Sequence, residues 1–206
     1  MKHQARTTIQ SIFICEKRGG VLISLPSVEA VAGCGLEGDR WHRPNDPITA
    51  GLRWLNAKRK GVAMVSTNIS IITSCQIKEG NAALASIGES PFTPIQMRRN
   101  IVLDGNIDLN QFAPDACCER DYDRDGYCDI HTTGNPIGKE FTIGSVRLVG
   151  SMFCNPCTVP PGRSGKLKGR EQMFKQAFAT CGGLRARILT GGTLCAGDVF
   201  GFTSRN

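Results

Sequence analysis

Two cysteines flank an Asn-Pro pair in "CNPC", residues 154–157, at the end of a strand-like run. Cys-x-x-Cys spacing suits three chemistries: part of a zinc site, a thiol–disulfide pair, or one working thiolate beside a bystander. Zinc would need two further ligands close in space, and there is no second Cys-x-x-Cys. A thioredoxin-like pair opens a helix, and Pro160-Pro161 are expected to exclude a regular helix directly downstream. A working thiolate needs cations to favour its ionised form, and Arg163, Lys166, Lys168 and Arg170 follow in the next segment. On the residues alone, a structural thiol pair is the simplest of these readings.

Other residues also have types that do chemistry. Arg98 and Arg99 start an apolar run, where paired guanidiniums clamp phosphate or carboxylate, and Asn100 has an amide able to read a ring edge. A solvated basic strand end is the plainer alternative. In "GLEGDRWH", Gly35 and Gly38 allow a ligand close to the backbone, Arg40 adds positive charge, and His42 titrates near neutrality. Asp39 is expected to brace this loop. In "CCERDYDRDGYCDIH", Asp121, Asp123, Asp125 and Gly126 match the start of a calcium loop, with Asp129 at its ninth position. Thr132 stands where an EF-hand has its bidentate Glu. Cys117, Cys118, Cys128 and His131 offer a zinc alternative, and an ion-free acidic loop is a third.

These residues need a scaffold. Short runs rich in Ile, Val and Leu, broken by Gly or Pro, read as strands at 10–15, 20–25, 28–32 and 62–72. Helices are expected at 48–59, at 74–87 with Ser74 as N-cap and Gly88 as stop, and at 171–180 with Met173, Phe174, Ala177 and Phe178 as its stripe. A hairpin at 139–153 turns near Gly144, residues 158–170 form a basic loop, and a last hairpin turns at Gly191-Gly192. Many short strands and few helices predict a mainly β, barrel-like domain. The 206 residues suit a single domain, interrupted by a Cys- and Asp-rich insert at about 111–136.

The totals narrow the class. The net charge of +7 suits an anionic partner. The basic stretch 163–170 lacks interleaved aromatics, so nucleic acid is not expected. No signal-like core or membrane-length apolar run appears, which predicts a cytoplasmic protein without membrane contact. In that compartment the ten cysteines are expected to be reduced; Cys15, Cys75, Cys181 and Cys195 read as small buried hydrophobes.

Four blocks in order, "GCGLEGDRWH", "RRNIVLDGNIDLN", "FTIGSVRLVGSMFCNPC" and "GGLRARILTGGTLCAGDVF", resemble the MOSC domain of molybdenum cofactor sulfurases and of amidoxime-reducing components. The resemblance implies a MOSC-type β-barrel and a molybdopterin-type cofactor. It implies that Arg98, Arg99, Asn100, Arg40, Gly38 and His42 bind that cofactor, and that Cys157 is the molybdenum ligand. Relatives often carry His one position nearer Arg40, where this chain has Trp41. Two activities follow from the resemblance: reduction of N-hydroxylated small molecules, with a reductase as electron donor, or relay of a Cys157 persulfide from a cysteine desulfurase. The sulfurases carry a pyridoxal-phosphate domain, which these residues do not include. A third reading, a non-catalytic calcium- or zinc-binding interaction module, rests on the insert, with Asp121, Asp123, Asp125 and Asp129 as candidate calcium ligands.

Overall fold

In a computed structural model of the chain, residues 6–17, 19–42, 68–113 and 138–203 are described. The expected helix at 48–59, the first part of the strand at 62–72 and nearly all of the insert, with its Asp and Cys candidates, lie outside them.

Among the described residues one sheet is built of eight strands: β1 (Thr8–Ile14), β2 (Ile23–Leu25), β5 (Ile69–Thr73), β6 (Ile101–Asp104), β7 (Glu140–Ile143), β8 (Val146–Phe153), β9 (Leu184–Thr190) and β11 (Phe200–Phe202). Their order across the sheet is β11-β7-β8-β9-β5-β6-β1-β2. A second sheet has the order β10-β3-β4, with β3 at Ser27–Val31, β4 at Gly35–Leu36 and β10 at Gly192–Cys195. The large sheet does not close as a continuous ladder. β1 instead meets the chain entering β11 through a single bridge, Thr8 to Val199, with Ile9 N donating to Asp198 O at 2.9 Å and Phe200 N to Thr7 O at 2.8 Å. The mainly β expectation holds; the barrel is a curled sheet joined by that bridge.

Strand alternation explains the curl. In β9, Leu184, Ala186 and Ile188 point inward and are fully buried, while Arg185 and Arg187 point outward. Inward-facing Ile9, Ile12, Ile71, Ile101, Leu103, Phe141 and Leu148 join them in one apolar cluster. The outer face of β5 and β6 is also covered: Ile72 and Val102 pack with Phe92, Phe174 and Phe178. β5 and β6 run parallel, so a crossover must join them, and helix α1 (Ser74–Ala85) supplies it.

The cap of α1 is Thr73 rather than Ser74. Thr73 Oγ1 accepts from Gln76 N at 3.0 Å, and Gln76 Oε1 accepts from Thr73 N at 3.1 Å, a reciprocal capping box. Gly88, at φ +76, stops the helix in the left-handed region as expected. The β7–β8 hairpin turns at Gly144 as predicted, with φ +57.

Two expectations fail. Residues 184–195 are not a hairpin: β9 pairs with β8 and β5, while β10 crosses to β3. The cause is local, since a Cβ at Gly191 would stand 2.6 Å from Ala30 O; the glycine lets the chain press against β3 and change sheets. Residues 158–170 are not all loop either. A short helix α2 (Val159–Ser164) begins two residues after Cys157, with Pro160 and Pro161 in its first turn. Proline is accepted there because the first-turn N–H groups have no intrahelical partner to lose. Helix α3 (Glu171–Ala177) follows, with Phe174 and Phe178 buried.

Candidate functional site

Arg98, Arg99 and Asn100 lie between a short 3₁₀ turn, Ile95–Met97, and β6, and their side chains part in three directions. Arg98 has a left-handed backbone, φ 57, an unusual conformation for a non-glycine residue. Its Nη2 donates to Gly20 O at 3.0 Å and to Cys15 Sγ at 3.4 Å. It lines a groove of about 320 Å³ with Gly19, Gly20, Val21, Leu22, Ile95, Pro160 and Arg163. Gly19 is required there: its φ is +73, and a Cβ would collide with the Arg163 guanidinium.

A smaller hollow of about 50 Å³ adjoins this groove through Leu22 and Arg98, and is also lined by Cys15, Asp39, Arg40, Trp41, Ser70 and Asn100. Arg40 reaches Cys15 Sγ through Nη1 at 3.9 Å and sits 5.2 Å from the Trp41 ring centre, while its buried Nε has no partner. Three arginines thus face one connected depression, and no carboxylate salt bridge neutralises them among the described residues. Such an arrangement attracts an anion.

Asn100 lines the hollow and braces it, with its amide fully engaged by protein partners. Its Oδ1 accepts from Ser70 N at 3.0 Å and Ser70 Oγ at 2.9 Å; its Nδ2 donates to Phe13 O and to Asp39 Oδ2, each at 3.2 Å. That uses both donors and both acceptor positions of the amide. Asp39 braces as expected: Oδ2 also accepts from Cys15 N and Oδ1 from Trp41 N, both at 2.9 Å. The loop 35–42 is thereby locked to the ends of β1 and β6. Gly38 of this loop has φ +76, and a Cβ there would stand 3.1 Å from Ile14 Cδ1 of β1. His42 N donates to Asp39 O at 2.9 Å, and its buried Nε2 has no partner.

Arg99 turns the other way. It is 6 % exposed, donating from Nε to Gly182 O at 3.1 Å and from Nη1 to Met97 O at 3.3 Å, with Nη2 unpartnered. A buried guanidinium costs several kcal/mol unless negative charge or acceptors compensate. Those two carbonyls are its acceptors, and the sulfur of Cys154 lies within its electrostatic reach. Burial pushes the Cys154 thiol up, but the charges of Arg99 and Arg185 and a hydrogen bond from Arg185 outweigh that and leave it below the ordinary thiol value. In return Arg185 is raised, chiefly by Cys154.

Cys157 itself is exposed and Cys154 is 2 % exposed, so the two thiols differ in access. The cations facing the sulfurs are Arg99 and Arg185. Two of the basic residues downstream are engaged elsewhere: Arg170 Nη1 pairs with Glu89 Oε1 at 2.5 Å, and Lys166 Nζ bonds Pro91 O and lies 5.0 Å from the Phe92 ring centre. Arg163 alone of that segment faces the groove.

Sequence reasoning missed Cys15 as a pocket residue, because the apolar run before it reads as core. It also missed Arg185; the outward-pointing arginines in "LRARIL" were the available signal. Cys181 is buried as expected, which with Glu79 raises its thiol to about 11. Cys75 and Cys195 are only partly buried. No group of three or more His, Cys, Asp or Glu with metal-site geometry occurs among the described residues. No helix among them is long and apolar enough to cross a membrane.

Comparison with known proteins bears directly on this arrangement. The family model of the MOSC domain matches residues 64–200. Among solved structures, the YuaD protein of Bacillus subtilis superposes with a TM-score of 0.63 at 14 % identity, over 96 % of this chain and 97 % of that one. YiiM from Geobacillus stearothermophilus gives 0.53 at 13 % identity, over 97 % and 76 % of the two chains. YiiM from Escherichia coli gives 0.53 at 13 % identity, over 96 % and 70 %. At these identities the likeness speaks to the fold. No match is found among the curated proteins.

Proposed function

Because the chain belongs to the MOSC domain family, we propose that it binds a molybdopterin-type cofactor in the arginine-lined depression and reduces N-hydroxylated small molecules. The observation that carries this reading is the groove of about 320 Å³ that Arg98 and Arg163 line, continued by the hollow that Arg40 lines. The residues fit such a group. Unneutralised guanidiniums and glycines at 19 and 20 suit a phosphate; the unpartnered Arg40 Nε is a further donor. Helix α2, which contributes Pro160, Arg163 and Ser164 to the groove, starts two residues after Cys157. A soft thiolate is the donor a molybdenum centre takes.

In this reading Arg98, Arg40 and Arg163 hold the anionic end, and Cys157 is the protein ligand to the metal. Asn100 and Asp39 fix the ends of β1 and β6 so that Arg98 and Arg40 keep their positions. Gly38 sets the loop geometry, Arg99 supports the turn that carries the cysteines, and His42 closes the same loop with a buried, unpartnered Nε2. When bound, the cofactor supplies the two-electron chemistry. An external reductase is the expected source of electrons.

The test is protein from a cofactor-producing host, assayed for molybdenum and for pterin fluorescence. Wild type should hold about one of each per chain; Arg98→Ala and Arg163→Ala should lose pterin, and Cys157→Ala should lose metal-dependent activity. Wild-type protein with neither molybdenum nor pterin would sink the reading.

A second reading draws on the exposure of Cys157. An exposed thiol is open to a donor protein, so Cys157 is suited to accept a persulfide from a cysteine desulfurase and pass it on. Mass spectrometry after incubation with a desulfurase and cysteine should then show one added sulfur on Cys157; an unchanged mass would exclude it.

A further inference from the structure

Cys154 has no task in the reading above, yet it occupies the most constrained position of any thiol in the site. It ends β8 with its N still donating to Gly183 O at 2.8 Å, and the chain then turns, Asn155 N donating back to Phe153 O at 3.1 Å. Pro156 closes the turn against Gly182, where a Cβ would come within 3.2 Å of Pro156 Cδ and would strike Cys154 O. Glycine at 182 is therefore what lets this turn sit down on the end of β9. Arg99, more than nine-tenths buried and with Nη2 unpartnered, bonds the same Gly182 carbonyl from the other side. Arg185 lies within electrostatic reach of both Cys154 and Cys157. The turn thus sets a closed thiol and an open thiol three residues apart, both within electrostatic reach of one guanidinium.

We propose that Cys154 and Cys157 are a peroxide-responsive dithiol, with Cys157 the sulfur that meets the oxidant and Cys154 the sulfur that resolves it. Access fixes the order, since Cys154 is 2 % exposed and Cys157 is open. Cys157 sulfur attacks a peroxide oxygen: an S–O bond forms, the O–O bond breaks, and one water leaves with the thiol proton when the oxidant is hydrogen peroxide. Cys157 is then a sulfenic acid. Cys154 sulfur attacks it: an S–S bond forms, the S–O bond breaks, and hydroxide takes up the Cys154 proton as a second water. Two thiols are oxidised and one peroxide is reduced. The two neighbouring guanidiniums favour the anionic sulfur that this second attack needs. The cations also explain why a buried cysteine here is not an inert one, in contrast to Cys181, whose neighbour is Glu79. The helix that follows Cys157 removes the objection that prolines downstream preclude such a pair.

This inference does not depend on cofactor binding, although the disulfide would take Cys157 away from a metal. The experiment therefore uses full-length protein from a host that makes no molybdenum cofactor, fully reduced, then treated with stoichiometric hydrogen peroxide and blocked with an alkylating agent. Peptide mapping of wild type should show the 154–157 segment lighter by two hydrogens and unalkylated, reverting with dithiothreitol. In Cys154→Ser, Cys157 should instead be trapped by dimedone, with labelling roughly tenfold above wild type because nothing resolves the sulfenic acid. The wild-type map decides even if the variant folds poorly. Alkylated Cys154 after peroxide, Cys157 bonded to another cysteine, or Cys157 carried on to sulfinic acid in wild type would each overturn the proposal.

Discussion

Arg98 and Arg99 are adjacent in the chain, and the regions they serve differ in kind. On the Arg98 side lies an open depression, where guanidiniums are left unneutralised and the sulfur of Cys15 is a hydrogen-bond acceptor at a strand end. On the Arg99 side the guanidinium is buried: the carbonyls of Gly182 and Met97 accept from it, and with Arg185 it favours the ionised form of the Cys154 thiol. The left-handed backbone at Arg98 separates the two, sending consecutive side chains to opposite sides of the strand end. Asn100 ties the structure between them to β5 and β1. One short motif thereby lines an open groove with Arg98 and holds the Gly182 carbonyl beside the thiol-bearing turn with Arg99.

The largest effect should come from breaking the tie itself. Asn100→Ala removes four hydrogen bonds, one of them to the buried Asp39 carboxylate, so about 3–4 kcal/mol of stability should be lost, read as a lower denaturant midpoint at unchanged slope. Next comes the contrast of the arginines. Arg99→Met should cost about 2–3 kcal/mol, since Cys154 loses its buried cation, whereas Arg98→Met should cost under about 1 kcal/mol and act on anion binding instead. Equal stability losses for the two would erase the distinction drawn here.

The pH dependence sharpens it further. The Cys154 thiol is lowered from 9.0, so the folded state releases its proton first as pH rises. Its contribution is present in full above 9.0 and is lost as pH falls through the lowered value. Cys181, raised to about 11, behaves oppositely: its contribution is complete below 9.0 and is lost as pH climbs through about 11. Urea midpoints measured across this range should show a rising slope that Cys154→Ala removes, and an alkaline decline that Cys181→Ala lessens. The smallest effect lies outside the open depression. Glu89→Gln breaks the half-exposed pair with Arg170 and should change stability by no more than about 1 kcal/mol.

Much of this was legible in the residues. Alternating runs predicted the strands, Gly88 marked the end of α1 and Gly144 the turn of a hairpin, and the order of four blocks pointed to the family that the match over 64–200 shows. Local rules failed where partners are distant in sequence. The glycines at 191 and 192 look like a hairpin turn, but β3, more than 150 residues earlier, offers β10 a better edge. Pro160 and Pro161 look like a helix break until their place in a first turn is known.

The sequence by itself determined the mainly β architecture, the family, and which side chains could carry chemistry, because periodicity, turn residues and motif order are local properties of the chain. Only the tertiary structure decided how those side chains divide: Arg98 to an open groove, Arg99 to a buried sulfur, Asn100 to the scaffold, and Cys154 rather than Cys157 to the cation-flanked interior. Burial, charge compensation and hydrogen-bond capacity depend on neighbours as far away as Asp39, Gly182 and Arg185, and those neighbours meet only when the sheet has curled.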